Sequence, residues 1–260
     1  TKTASGADLS IAPLDRIDKP LSLTDLHRAI DARLPQLDLP ELILEMHART
    51  GFAAAFTHAS EGNARAEDIA TTICAVLVAE ATNTGFEPLV RPEVSALRRS
   101  RLSWVKQNFI RAETLTTANA LLVAAHNRIP LARVWGSGEV ASADGLRFTV
   151  PVRTIHAGPN PRYFGRERGI TWYNLVSDRF SGLNALTVPG TLRDSLYLLA
   201  VVLDQETELR PGEIMTDTAG YTDTIFGIFH LLGLQFSPRI ADIGGARFWR
   251  VDGKADYGVL

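Results

Sequence analysis

Cysteine is almost absent from this 260-residue chain; the single one, Cys74, excludes an intrachain disulfide and any all-cysteine zinc site. It lies inside the apolar run ICAVLVAEA, which marks it as a buried structural thiol rather than a nucleophile. The histidines, His27, His47, His58, His126, His156 and His230, lack HxxxH-type spacing, so the usual zinc signatures are excluded too. His230, on an apolar helical pattern, reads as a core or boundary residue. No apolar run approaches the ~18 residues of a membrane span and no signal peptide is visible, so the expected compartment is the cytoplasm, with no membrane partner. An excess of one charge is also lacking. Lys plus Arg number 27 against 29 Asp plus Glu, a net −2, so no global polycation announces nucleic acid, although a local basic strip can still do that work. Neither GxxxxGK nor GxSxG occurs, which leaves nucleotide hydrolysis and serine-hydrolase chemistry without support. The first residue is Thr1 rather than methionine, so the expectation is a piece of a longer protein.

What is present is a globular composition, 45% hydrophobic and 22% charged, with a change of periodicity near residue 135. Residues 1–34 read as an extension or linker. From about 35 to 134 the apolar spacing is helical. Leu39, Leu42, Ile43 and Met46 follow an i, i+3, i+4, i+7 series behind Asp38 as cap, with Pro40 in the first turn, and Ile69, Ile73, Val76 and Leu77 repeat it. Further helices are expected over 112–126 and within 93–108. Beyond Trp135 the spacing turns strand-like in EVASADGLRFTVPVRTI, GITWYNLVSD and LNALTVPG, with a turn signal at Asp144-Gly145 and another in DRFSG. A helix over TLRDSLYLLAVVLDQ, with Thr191 and Asp194 as a capping box, a short strand EIMTD and a helix TDTIFGIFHLLG follow. The order strand, strand, strand, helix, strand, helix predicts an α/β fold with a mixed sheet, preceded by a mostly helical region.

Two acids stand where predicted strands meet loops. Asp144 reads equally as a turn aspartate, and Asp217, between a short apolar strand and a glycine, as a structural one. Read functionally, carboxylates from neighbouring strands can converge on divalent cations for phosphoryl transfer. Asp178, Asp194, Asp223 and Asp242 have turn, cap or dipole explanations. Two basic groups could track phosphates. One is Arg98, Arg99, Arg101, Lys106 and Arg111, interleaved with Trp104 and Phe109, which reads equally as a solvated helix face. The other is Arg162, Arg166 and Arg168, in the irregular loop HAGPNPRYFGRERG near the acids.

Taken together, WGSGEVASADGLRFTVPVRTIHAGPNPRYFG, RGITWYNLVSD, VPGTLRDSLYLL, ELRPGEIMTDTAGYTDTIFGIFHLLG and FSPRIADIGGARFWRVD resemble the Tn-three family of replicative bacterial transposases, with earlier support from LILEMHARTGFAAAFTH and LSWVKQNFIRAETLTTANALLV. The resemblance runs from about residue 35 to the end. It implies that 135–260 is an RNase H-like DDE catalytic core and that Mg2+, or Mn2+ in its place, is the cofactor. It also implies DNA partners, namely terminal inverted repeats and target DNA, and self-association in the full-length protein. The family's first two aspartates match Asp144 and Asp217, and its glutamate falls beyond residue 260. The 260 residues alone are therefore expected to be inactive. Arg179 in SDRF stands where the family pattern has glutamine. Two other classes compete: a DNA-binding or assembly module without chemistry, and a small-molecule α/β enzyme using Asp217.

Overall fold

The structure, a computed structural model, describes the backbone of residues 2–3 and 6–7 and residues 18–60, 67–190, 194–240 and 252–256. The chain divides into two units, Gln36–Arg239 and the remainder. In the smaller unit β1 (Lys2–Thr3) pairs antiparallel with β2 (Gly6–Ala7), and α1 (Leu21–Asp31) starts after Pro20.

In the larger unit, among the described residues, five α-helices precede the sheet: α2 (Leu39–Thr50), α3 (Ile69–Thr82), α4 (Arg99–Phe109), α5 (Ala112–Asn127) and α6 (Pro130–Trp135). α2 starts after Asp38 with Pro40 in its first turn, and ends where Gly51 adopts φ +69°, a conformation that favours glycine. α3 carries apolar residues nearly all round, the mark of a buried helix, and Ile73, Cys74 and Val76 pack with Leu102 and Val105 of α4. α5 belongs to both cores: Ala118 packs among the helices and Val123 against the sheet. Asn119 of α5 donates to the Gly182 carbonyl at 2.8 Å, and His126 Nδ1 meets Ser181 Oγ at 2.7 Å. The helices and the sheet form one compact unit as a result.

The sheet comprises β3 (Val140–Thr149), β4 (Gly158–Pro159), β5 (Arg168–Ser177), β6 (Gly182–Pro189), β7 (Glu213–Thr216) and β8 (Gln235–Pro238). Between these strands lie α7 (Pro161–Phe164), α8 (Asp194–Leu203) and α9 (Asp223–Leu231). β3 lies between β5, antiparallel, and β7, parallel; β8 extends the parallel side and β6 pairs with the other edge of β5. One face carries Ala141, Ala143, Tyr173, Leu175, Leu183, Val188, Ile214 and Phe236, buried under Leu198 and Val201 of α8 and Ile225 and Phe229 of α9. Strand alternation then sends Ser142, Asp144, Leu146, Trp172, Met215 and Gln235 to the opposite, exposed face. α9 is capped as its sequence predicts, with Thr222 Oγ1 accepting from the Ile225 N–H at 3.2 Å.

Three expectations change. Asp144-Gly145 is not a turn: both residues sit within the ten-residue β3, because the stretches before and after the pair bond to the same long strand, β5, instead of to each other. β8 is a fifth long-range strand that its sequence, QFSP, does not announce. His230, expected in the core or at its boundary, is exposed near the end of α9. Thr191 and Asp242 lie outside the described residues. Among those described, no helix is long and apolar enough to cross a membrane.

Candidate functional site

The parallel register of β3 and β7 ends at Ala143↔Thr216, so the next residues in line are Asp144 and Asp217. Adjacent strands lie about 4.8 Å apart, which sets the two carboxylates side by side on neighbouring chains. They share a face as well. Ala143 and Thr216 are buried, and the residues that follow them are both exposed. The row continues in both directions. Asn174 of β5 pairs directly with Asp144, while β7 and β8 end at Thr216↔Pro238, bringing Arg239 next to Asp217. The Arg239 N–H donates to the Thr216 carbonyl at 2.8 Å, which carries the ladder one residue past β8. Asn174, Asp144, Asp217 and Arg239 thus cross the sheet in one line, just past the carboxyl ends of the parallel strands β7 and β8 and midway along β3.

Asp217 is held by the tight turn that follows β7. The Gly220 N–H reaches both the carbonyl and Oδ1 of Asp217, each at 3.2 Å. A side chain at 220 would not fit, since a Cβ there would lie 2.7 Å from Thr216 Oγ1. Asp144 Oδ1 accepts from the Gly145 N–H at 2.7 Å. Ionised carboxylates are acceptor-only oxygen donors, and two on one exposed face suit a hard divalent cation. Among the described residues no third histidine, cysteine, aspartate or glutamate joins them in a metal-holding group.

The basic residues are placed less simply. Arg98 donates to the Pro92 carbonyl at 3.1 Å, Arg99 pairs with Glu87, and Arg101 donates to the Glu67 carbonyl at 2.7 Å while lying over the Trp104 ring. Lys106 pairs with Glu80 at 2.7 Å, and Arg111 bonds the Thr57 and Asn108 carbonyls at 2.9 and 2.7 Å. All five fasten helices and loops to one another. Arg162 lies over the Tyr163 ring, and Arg166 and Arg168 are exposed. Arg168 begins β5 six residues before Asn174, about 20 Å along the strand. The loop cluster therefore lies at the far end of the strand from the acids, not beside them. Asp178 takes a structural role, accepting from the Gly138 N–H at 2.9 Å. Arg179 donates to the Gly136 and Ser137 carbonyls, so it clamps the loop that leads into β3.

A family model described as the Tn3 transposase DDE domain matches residues 41–260. The chain belongs to this family. It is 57% identical over 97% of its length to the transposase for transposon gamma-delta of Escherichia coli, and 46% identical over 97% to the transposase for transposon Tn4556 of Streptomyces fradiae. The transposase for transposon Tn1546 of Enterococcus faecium is 34% identical over 96%. The chain spans about a quarter of the length of these relatives, 25%, 28% and 25% respectively. Arg239 and Asn174, which stand in the same row as the two aspartates, are not picked out by the sequence. The signal is register in both cases: that of β3 with β5 for Asn174 and that of β7 with β8 for Arg239.

Proposed function

We propose that this chain is part of the RNase H-like catalytic core of a DNA transposase, and that Asp144 and Asp217 are acids of its DDE site. The observation that carries this reading is the strand register that sets the two aspartates next to each other on one exposed face. The strand order, three antiparallel strands with two more added parallel to the first, supports the RNase H-like assignment. The proposed reaction is phosphoryl transfer in two steps. Water attacks the phosphodiester at each 3′ end of the element, leaving a free 3′-OH and a 5′-phosphate. That 3′-OH then attacks a phosphodiester of target DNA, forming one P–O bond as another breaks.

Divalent cations, Mg2+ or Mn2+, would supply charge neutralisation at the phosphodiester and a more acidic attacking water. Asp144 and Asp217 would hold them, each anchored by a hydrogen bond from a following backbone N–H, at 2.7 and 3.2 Å. The protein contributes position and charge rather than a nucleophile, as phosphoryl transfer requires. With two acids and no third metal-holding group among the described residues, the 260-residue chain alone is expected to bind cations weakly and to be inactive. The activity belongs to a protein of the relatives' length, acting in the cytoplasm on inverted repeats and target DNA and associating with itself.

The test is Asp144→Asn and Asp217→Asn in a transposase of that length carrying this sequence. Both variants are expected to bind element ends and to fail to nick or join them. Cleavage at the wild-type rate by either variant would overturn the assignment.

A further inference from the structure

We infer that Arg239 is a further substrate-binding residue of this site, whose guanidinium takes a non-bridging oxygen of the reacting phosphodiester. This rests on Asp144 and Asp217 being the acids of the reaction. Arg239 follows β8 by one residue, and its backbone N–H continues the ladder to Thr216, so it stands one strand from Asp217 and two from Asp144. Alternation puts it on the acids' side of the sheet. Phe236 is buried with the inner core, and Arg239, three residues on, is exposed.

Its side chain differs from the basic groups picked out by composition. Arg98, Arg99, Arg101, Lys106 and Arg111 are each bonded to a carbonyl or carboxylate of the protein. Among the described residues the Arg239 guanidinium has no hydrogen bond or ion pair. A guanidinium offers a planar fork of donors that matches two oxygens of one phosphate. Carboxylates engaged in holding cations are no longer available as its partners, and the anion then arriving at the same row is the phosphodiester. The carboxyl ends of parallel strands are also where α/β sheets bind their ligands.

The experiment uses Arg239→Ala and Arg239→Lys beside Asp144→Asn and Asp217→Asn, in a transposase of the relatives' length carrying this sequence. The first readout needs no activity. With Ca2+ in place of Mg2+ to occupy the carboxylates, binding of a nicked element-end duplex is measured across a salt series, and loss of one phosphate contact should reduce the slope of log affinity against log salt by about 0.9 in Arg239→Ala. The second is cleavage, expected to slow by about 100-fold in Arg239→Ala, the cost of removing one donor to a transition-state oxygen, with partial recovery in Arg239→Lys. A wild-type rate and unchanged salt slope in Arg239→Ala, with both aspartate variants inactive, overturns the role of Arg239 alone. Active aspartate variants overturn the reading of the acids. Equal losses in the Ala and Lys variants, together with a lowered unfolding temperature, would make Arg239 a structural residue and also overturn the proposal.

Discussion

The threonine that ends β7 offers a quantitative test of how Asp217 is held. Thr216 is 5% exposed and faces the inner core, and its Oγ1 has no hydrogen-bond partner among the described residues. Its backbone is satisfied, since the carbonyl accepts from Arg239 and the strand is paired on both sides. The side chain alone carries the cost. A buried hydroxyl without a partner costs about 1–3 kcal/mol, and valine has the same β-branched shape without the polar atom. Thr216→Val should therefore stabilise the chain by about 1–2 kcal/mol, raising Tm by roughly 2–8 °C at 2–4 °C per kcal/mol for a chain of this size. Calorimetry and a urea titration would measure it, with the midpoint moving and the slope unchanged. Equal or lower stability would show that the hydroxyl is bonded and refute the reasoning.

The same contact predicts the opposite sign at Gly220. An added Cβ would sit 2.7 Å from Thr216 Oγ1, 2.9 Å from its Cβ and 3.2 Å from its Cγ2, all inside ordinary contact distance. Gly220→Ala should cost about 1–3 kcal/mol through overpacking. Two of the three crowded atoms vanish in Thr216→Ala, so the double variant should recover part of that loss. Strict additivity would mean that the turn relaxes without touching Thr216.

Two other outcomes are expected. Burial pushes the Cys74 thiol up from 9.0 to about 11, outweighing a backbone hydrogen bond that acts the other way. Cys74 should thus resist alkylation at pH 8 until the protein unfolds. Because the folded state favours the neutral thiol, the stability this contributes is complete below about pH 9 and is lost as pH rises through 11. Rapid modification of native protein at pH 8 would contradict the burial. At Gly136 an added Cβ would lie 2.3 Å from Asp178 Cγ, so Gly136→Ala must displace the carboxylate that accepts from Gly138. A loss of about 2 kcal/mol is expected by denaturation, mostly absent when Asp178→Ala is already in place.

Much of the fold is legible in the sequence, where local chemistry and tertiary packing agree. Pro40 behind Asp38, Thr222 before TIFGIF and the glycines at 51 and 233 mark real helix ends. Elsewhere partners outvote propensity. The Asp144-Gly145 pair reads as a turn by composition, yet β5 pairs along nearly the whole of β3, and a turn there would forfeit that ladder. QFSP has too few residues to show alternation, and its strand character comes from β7. Arg179 reads as added positive charge, whereas the structure spends that charge on two carbonyls of the WGSG loop. The aspartates themselves are visible in the sequence. Their adjacency is not, because register between distant strands has no local signature.

Register here is decided by the core. If β7 slipped one residue against β3, Ile214 and Thr216 would turn to the exposed face, and Met215 and Asp217 would turn inward against Ile225 and Phe229. Burying an ionised carboxylate without a partner and exposing a fully buried isoleucine both oppose that slip. Pairing on the far side resists it again, since Phe236 of β8 enters the same core opposite Ile214. The apolar residues of β7 and β8 therefore align Asp144, Asp217 and Arg239 without touching any of them. A core substitution that loosens Ile214 or Phe236 would disturb the acids before it unfolded the sheet.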